Sequence, residues 1–411
     1  MSAGSLTHDS LTLLVPRFGP ARWSDAVAAM TVSAYFTALV LPLRTDFGSA
    51  ALGVGALLTI LTTGRVSQGR VFRLLDGALV VFLLASGLSI ATSMDPARSL
   101  RLSAAFLPAL LLFVIIARHL ARPEGVRLLA QILSTAVLVV GGMLAHAAWA
   151  GTVGGPAALV AATGSPLLLV PNDAVLLALI APLSLSLVLS RGGRAACILG
   201  ILSLAVTGTV LVVLQSRIGV LTMAGGLIAV IVLCRSRRGL IVLTGLAALA
   251  LAADASQGFA LVGKFGQMLD PRVALWITGL AMWMDAPLLG HGPRSFGLLY
   301  AEYRDALSLP AWLPIDDRIV PWAHSLWVEA LAEQGLVGFG ALLVLMACGL
   351  RAAWRSFRRS SGEARTLRAG VLAALVVFCG AATVELTFVR QWVVVVLCTL
   401  LGMSAPRKES P

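Results

Sequence analysis

The segment AACILGILSLAVTGTVLVVLQSRIGVLTMAGGLIAVIVLC, residues 195–234, decides the fold class of this chain. Its single charged side chain, Arg217, separates two apolar runs at 195–214 and 218–234. A helix that crosses a lipid bilayer needs about 20 consecutive apolar residues. The segment therefore predicts two membrane-spanning helices joined by a tight turn, and the shorter run must recruit flanking residues at its ends.

The same pattern recurs along most of the chain. Hydrophobic residues make up 58% of the sequence, charged residues only 12%, and the mean hydropathy is +0.93. This composition is far from that of an average soluble domain and predicts an all-α polytopic membrane protein with about 12 transmembrane helices. The apolar stretches lie at 26–43, 50–63, 74–92, 103–117, 128–150, 174–190, 195–214, 218–234, 239–253, 335–350, 369–386 and 391–405.

One long interruption divides the chain into three parts. Residues 1–253 hold the first nine predicted helices, residues 254–323 form a large loop, and residues 324–411 hold the last three. This loop holds six of the 12 Asp and four of the nine Trp residues of the chain, together with four Arg and one His. It is where we expect the chemistry of the protein to take place.

The arginines predict the orientation of the helices. Short cytoplasmic loops carry an excess of Lys and Arg. With both termini cytoplasmic, most of the 31 Lys and Arg residues fall on the cytoplasmic side, and the loop 254–323 faces outward.

The net charge of +12 then has anionic lipid headgroups as its partner. No basic face with interleaved aromatic residues indicates binding to nucleic acid.

Neither a metal site nor a cofactor is predicted. The five cysteines lie in or at the ends of apolar runs, and none lies in the large loop. The sequence contains no Asp-x-Asp pair, and Asp316 and Asp317 are adjacent to each other. A dedicated site for a divalent cation is therefore not indicated.

A helix is predicted within the loop. Asp270 before Pro271 is typical of a helix start, and an apolar stripe at helical spacing ends near Asp285. The stripe consists of Val273, Trp276, Ile277, Leu280, Trp283 and Met284. We expect this helix to lie on the membrane surface or to pack across the bundle. Arg272 falls in its first turn, where backbone N–H groups and the helix dipole favour an anion.

Two further side chains are candidates for a site with Arg272. Arg217 lies at the outer turn between two helices, where it is either an interfacial anchor or an anion ligand. Two arginines at one outer site would form a clamp suited to a pyrophosphate. His324 opens the next helix and is either a hydrogen-bonded structural residue or a proton acceptor for a hydroxyl nucleophile.

The order of these motifs resembles the O-antigen ligase and polymerase superfamily, and the lipopolysaccharide O-antigen ligases in size and loop placement. The resemblance covers essentially the whole chain, and its specific part is the order and spacing of short motifs. They are Ser216-Arg217, Arg272 opening an amphipathic segment, Pro287-Leu288-Leu289-Gly290-His291-Gly292-Pro293, and His324 with Glu329, Glu333, Gly335 and Gly338.

The resemblance implies a membrane glycosyltransferase of the GT-C type. Such an enzyme is inverting and metal-independent, and it transfers O-antigen polysaccharide from undecaprenyl diphosphate to lipid A-core. This reaction completes lipopolysaccharide on the periplasmic side of the bacterial inner membrane. The loop 254–323 would then be the periplasmic catalytic loop.

Site residues carry over from the family at three positions. The paired arginines fall on Arg217 and Arg272, which would hold the donor diphosphate. The essential histidine falls on His324, which would act as the general base. Many family members have Asn after this histidine, whereas Ser325 follows it here.

Other loop residues are candidates for substrate contacts, each with a simpler alternative. The arginines could bind phosphates of a core glycolipid or be ordinary surface charge. The histidine could shape its Gly-Pro turn, and the tryptophan could belong to an interfacial belt. These candidates are Arg294, Arg304, Arg318, His291 and Trp276. Glu385 and Arg390 lie at another outer turn, where we expect them to pair with each other.

Several functions remain open from the sequence. An O-antigen polymerase would use another repeat unit as acceptor, and a protein O-oligosaccharyltransferase of the same superfamily would use a protein hydroxyl. The rival class is a multi-helix transporter. Transporters place ionisable groups or broken helices near the bilayer midplane. The centres of these apolar runs are nearly free of charge, which favours a reaction at one membrane surface.

Overall fold

A computed structural model describes residues 23–41, 45–62, 74–152, 154–165, 167–190, 192–264, 270–315 and 322–405. The described part of the chain is almost entirely helical, and none of it lies in a β-strand. The α-helices are α1 Trp23–Val40, α2 Thr45–Thr62, α3 Leu74–Ala91, α4 Pro96–Ala104, α5 Leu107–Ile115, α6 Pro123–Trp149, α7 Gly155–Thr163, α8 Val175–Leu189, α9 Arg194–Val213, α10 Arg217–Cys234, α11 Arg237–Ser256, α12 Ala260–Lys264, α13 Asp270–Asp285, α14 Phe296–Ala306, α15 Leu326–Arg359, α16 Gly362–Val384 and α17 Gln391–Ser404.

Two short helical segments complete the described architecture. A π-helical turn at Ile116–Leu120 extends α5, and a 3₁₀ turn at Pro171–Ala174 leads into α8. With these extensions, nine helices within the described ranges are long and apolar enough to cross a membrane. Three shorter apolar helices lie at Ser24–Val40, Gly48–Leu57 and Gln391–Ser404. Each predicted apolar stretch coincides with one of these elements, and the all-α polytopic fold is confirmed.

Helices α8 and α16 form the centre of the bundle. Both are mostly buried, and each contacts the other as well as α10. Helix α15 packs between α16 and α3, whereas α11 lies at the periphery with most of its surface exposed. The apolar side chains that point away from the bundle are those a membrane protein presents to lipid.

The largest departure from the predicted stretches is in α15. The apolar run was predicted at 335–350, whereas the helix extends to Arg359; it begins directly after Ser325, in agreement with the prediction that His324 opens it. Gly335 breaks its geometry with φ +61° and ψ −166°, a conformation that only glycine adopts readily. The kink divides α15 into a short segment beside the loop and a long segment through the bundle.

The turn Pro287–Gly292 docks against this kink by direct backbone contact. A Cβ atom at Gly335 would lie 2.3 Å from the carbonyl carbon of Leu288, and one at Gly290 would lie 2.3 Å from that of Glu333. Backbone hydrogen bonds join the two segments from Leu336 to Pro287, Val337 to Leu288, His291 to Ala332 and Gly292 to Glu333, at 2.8 to 3.2 Å. Two glycines that face each other therefore fix the loop on the membrane bundle.

Helix α13 has the predicted bounds but buries a different face from its apolar stripe. Leu275, Thr278 and Met282 are fully buried, whereas Ile277 and Met284 of the stripe are exposed. Small residues on the buried face allow close approach, since a Cβ atom at Gly279 would overlap Val328 of α15. Ile277, Leu280 and Met284 of the stripe thus face away from the protein, as expected of a helix at a membrane surface.

We predict that Gly335→Ala destabilises the protein strongly. The alanine Cβ would overlap the Leu288 backbone, and a non-glycine residue in this conformation alone costs about 1–3 kcal/mol. The measurement is the apparent melting temperature of the purified protein in detergent.

Gly340→Ala, five residues further along the same helix, is the matched control. Nothing lies within 4 Å of a Cβ atom there, and alanine is favoured over glycine in a helix by up to about 1 kcal/mol. A Gly335→Ala protein that melts at the temperature of the control would show that the docking contact does not need glycine.

Candidate functional site

A cavity of about 370 Å³ lies where several helices end together. The 3₁₀ turn before α8, the turn between α9 and α10, the first turn of α13 and the end of α16 all contribute to it. The cavity is lined by Pro156, Ala157, Pro171, Asn172, Leu214, Gln215, Ser216, Arg217, Ile218, Arg272 and Glu385. Arg217 and Arg272, predicted from distant parts of the sequence, therefore share one cavity.

The turn before α10 places Arg217 at a helix N-terminus. Gln215 has φ +53° and reverses the chain after α9. Ser216 caps α10, since its hydroxyl accepts a hydrogen bond from the amide of Gly219 at 3.3 Å. The first turn of α10 lines the cavity, so its backbone N–H groups and the positive end of its dipole add to the charge of Arg217.

Arg272 is the most buried cation of the cavity. Its guanidinium Nη2 lies 2.5 Å from Oε2 of Glu385, and about a tenth of its side chain is exposed. Glu385 follows α16, where the negative end of the helix dipole disfavours a carboxylate without a cationic partner. The ion pair therefore compensates both charges. Arg217 lies within electrostatic range of Arg272 and Glu385.

His324 binds the other oxygen of the same carboxylate. Its Nδ1 lies 3.1 Å from Oε1 of Glu385, and the imidazole is almost fully buried. Because a carboxylate can only accept a hydrogen bond, Nδ1 carries the proton and neutral His324 has its lone pair on Nε2. The backbone of His324 has φ +48°, a conformation that residues other than glycine adopt rarely.

Trp322, Arg390 and Asp173 form a chain of contacts that begins at the imidazole of His324. The ring of Trp322 lies 5.1 Å from that of His324, and the guanidinium of Arg390 lies 4.5 Å from the Trp322 ring centroid. Arg390 in turn pairs with the buried carboxylate of Asp173 at 3.3 Å. Trp322 is thus held between a cation and the imidazole, and it fixes the plane of His324.

Ser325 has a structural role that explains its difference from the family pattern. It is the N-cap of α15, and its hydroxyl accepts a hydrogen bond from the amide of Val328 at 3.4 Å. Asn and Ser are both favoured at this position because their side-chain oxygens accept such a bond. The exchange of Asn for Ser therefore keeps the local geometry that follows His324.

Two of the other candidates lie within the loop itself. Trp276 donates from its indole nitrogen to the carbonyl of Ala323 at 3.0 Å and so fastens α13 beside His324. His291 lies 3.0 Å from the carbonyl of Met282 and 3.3 Å from the hydroxyl of Tyr303. Both side chains hold the loop together, and neither lines the described cavity.

The candidate arginines of the loop also make internal contacts. Arg294 donates to the carbonyl of Val389 at 2.9 Å and lies over the ring of Phe106. Burial lowers the pKa of its guanidinium, and the nearby carboxylates Glu329 and Glu333 oppose that effect. Arg304 pairs with Asp305 at 2.7 Å, and Arg318 lies outside the described residues.

Two buried carboxylates of α15 act as structural anchors. Glu333 accepts hydrogen bonds from the backbone amides of Arg294 and Phe296, at 2.8 and 3.0 Å. Glu329 accepts from the hydroxyl of Thr387 and from the amide of Phe388. They tie the loop and the α16–α17 connection to the short segment of α15 that follows His324.

Glu385 is the residue of this site that the sequence did not single out. It was expected to pair with Arg390, and that prediction is wrong, since Glu385 binds Arg272 and His324 and Arg390 binds Asp173. Its partners lie 113 and 61 residues away in sequence, which is beyond local pattern reasoning. The available signal is that Glu385 is the only acidic residue between 369 and 405.

The described residues contain no group of three or more His, Cys, Asp or Glu side chains that could hold a metal ion. The donor set of the cavity is instead cationic, with two guanidiniums and one carboxylate. Asp316 and Asp317 lie outside the described residues. The arrangement suits an anion with several oxygens rather than a cation.

The chain also matches a known family over the segment that carries these residues. Residues 202–343 match the family model of the O-antigen ligases. The resemblance seen in the sequence is thus confirmed over this segment, which contains Arg217, Arg272 and His324. The match supports a ligase- or polymerase-type glycan-transferring activity in a membrane protein. No curated protein matches the chain at a significant level.

We predict that Ser325→Ala weakens the first turn of α15, whereas Ser325→Asn preserves it. Loss of an N-cap side chain costs about 1 kcal/mol because one helix amide is left without its acceptor. Amide hydrogen exchange of residues 326–329 measures the effect and should be faster in the alanine variant only. Equal exchange in all three proteins would show that the cap bond is not formed.

Proposed function

We propose that this protein is an O-antigen ligase. It transfers O-antigen polysaccharide from undecaprenyl diphosphate to lipid A-core and so completes lipopolysaccharide. One observation supports this most directly. Arg217 and Arg272 line one cavity, and Arg272 is joined to His324 through a single carboxylate, Glu385.

The site is proposed to face the periplasm of a bacterial inner membrane. The other ends of the helices carry the arginine-rich connections, including the ion pair of Arg127 with Glu363 at 2.6 Å and Arg368 bound to the carbonyls of Ala121 and Met403. The positive-inside rule assigns those ends, and both chain termini, to the cytoplasm. The cavity then lies at the outer edge of the membrane.

In the proposed reaction the two arginines bind the diphosphate of the donor. Departure of the lipid diphosphate concentrates negative charge on the oxygen that leaves the sugar. Guanidiniums stabilise that charge through paired hydrogen bonds, and the N-terminus of α10 contributes in the same direction. A neutral pyrophosphate mimic would lack this charge and is expected to bind weakly.

His324 acts as the general base toward the acceptor hydroxyl. As the hydroxyl oxygen forms its bond to the anomeric carbon with inversion, its proton moves to Nε2 of His324. The bond from the anomeric carbon to the diphosphate breaks, and its electron pair stays on the diphosphate oxygen. Glu385 stabilises the resulting imidazolium through Nδ1. The step requires no cofactor.

A polymerase or a protein O-oligosaccharyltransferase would use the same donor chemistry. These enzymes differ from a ligase in the acceptor that they use. The acceptor would contact side chains of the large loop other than the proposed site residues Arg217, Arg272 and His324. The structure favours a transporter less, because the described polar groups of the site lie at helix ends rather than at the bilayer midplane.

The decisive experiment is deletion of the gene in its own host, followed by lipid analysis. A ligase deletion leaves O-antigen polymer on the carrier lipid and core without polymer. A polymerase deletion instead leaves single repeat units on the core. Unchanged lipopolysaccharide in the deletion strain would refute both activities.

We predict that His324→Ala lowers turnover by about 10²–10⁴-fold, the usual contribution of a general base. Donor binding should be kept, because the diphosphate is held by the arginines. Turnover is measured with purified enzyme, undecaprenyl-diphosphate-linked glycan and lipid A-core. Wild-type turnover in this variant would contradict the base assignment.

Arg217→Ala and Arg272→Ala should instead weaken use of the donor. Lysine at either position should restore only part of the activity, because an ammonium lacks the paired donors of the guanidinium. The donor concentration at half-maximal rate is the measurement. Full activity of both lysine variants would show that the sites need a positive charge but not the guanidinium geometry.

A further inference from the structure

We propose that Glu385 couples donor binding to activation of the base, an inference that rests on the proposed function. Glu385 is a positioning residue in this proposal, because it acts through Arg272 and His324 rather than on the substrates. It also lies outside the segment 202–343 that matches the family model. Nothing in that match assigns it a role.

The geometry shows that one carboxylate serves both partners. Oxygen Oε2 of Glu385 binds Arg272 at 2.5 Å, and Oε1 binds His324 at 3.1 Å. All three side chains are largely shielded from water, so the negative charge of Glu385 acts on both partners at close range. Each partner therefore reduces the electrostatic stabilisation that the carboxylate gives to the other partner.

Arrival of a diphosphate changes this balance. The diphosphate and Glu385 compete for the guanidinium of Arg272, which lines the cavity beside Arg217. As Arg272 turns toward the donor, the charge of Glu385 is no longer neutralised by it and acts mainly on His324. The imidazole then becomes a stronger base. Proton removal from the acceptor is thereby favoured only when the donor is in place.

Other charged groups around the carboxylate stay fixed in this proposal. Arg217 lies within electrostatic range of Glu385 from α10 and is proposed to bind the same donor. Arg390 and Asp173 face it across a second, much smaller cavity that Glu385 also lines. These two are paired with each other at 3.3 Å, so their net contribution to His324 is small.

The test compares Glu385→Gln with Glu385→Asp. Glutamine keeps the shape of the side chain but removes its charge, whereas aspartate keeps the charge at a shorter reach. We expect Glu385→Gln to lower turnover at least tenfold and to move the acidic limb of the pH–rate profile to lower pH, because the imidazolium has lost its stabilising partner. Binding of undecaprenyl diphosphate to this variant should be unchanged or tighter, because Arg272 loses a competitor.

The aspartate variant should turn over more slowly but keep the acidic limb near its wild-type position. Asp285→Asn is the matched control. This carboxylate ends α13, the helix that carries Arg272, but it is mostly exposed. It binds Tyr303, whose pKa burial and this hydrogen bond raise to about 12. Neutralising it should leave the acidic limb unmoved.

The outcomes distinguish failure of the proposed coupling from failure of the proposed function. A Glu385→Gln protein that loses turnover equally at every pH, or that loses donor binding, would show that the carboxylate is only structural. Wild-type turnover in Glu385→Gln would also overturn the coupling. If His324→Ala is inactive in the same assay, either result leaves the proposed function standing, whereas full turnover of His324→Ala would refute the base itself.

Discussion

The carboxylate of Glu385 is the interaction on which the arrangement of the site depends. Two guanidiniums in one cavity repel each other, and removing either from water is costly without a negative partner. Glu385 supplies that partner at the end of α16, where its charge also needs compensation. The same carboxylate fixes the tautomer of His324. The charge balance of the cavity and the orientation of the His324 imidazole are thus both set by a single side chain.

Direct backbone contact is one part of the scaffold that holds these groups, in addition to side-chain packing between the loop and α15. Gly290 and Gly335 let the loop turn approach the kinked backbone of α15 closely enough for a ladder of hydrogen bonds. Glu333 then anchors the residues after that turn. Because His324 precedes the same segment of α15, the docking that places the loop also places the imidazole.

The sequence predicted the fold well because hydropathy is a local property that one apolar run reveals by itself. It also indicated Arg217, Arg272 and His324, since their residue types and order resemble a family. It missed Glu385 because the partners of a carboxylate depend on which distant helices end together. Proximity in sequence suggested Arg390, but the 3₁₀ turn before α8 brings Asp173 to that arginine instead.

Helix α13 carries both exposed apolar side chains and one arginine of the cavity. The exposed side chains Ile277, Leu280 and Met284 lie on its face away from the bundle, and such a face is stable where lipid covers it. Arg272 lies in the first turn of the same helix and lines the cavity. If lipid covers these side chains, the depth of the helix in the membrane also sets the depth of the guanidinium. The proposed donor has its diphosphate charge at the boundary between acyl chains and water, and a helix at the membrane surface would hold Arg272 at that depth.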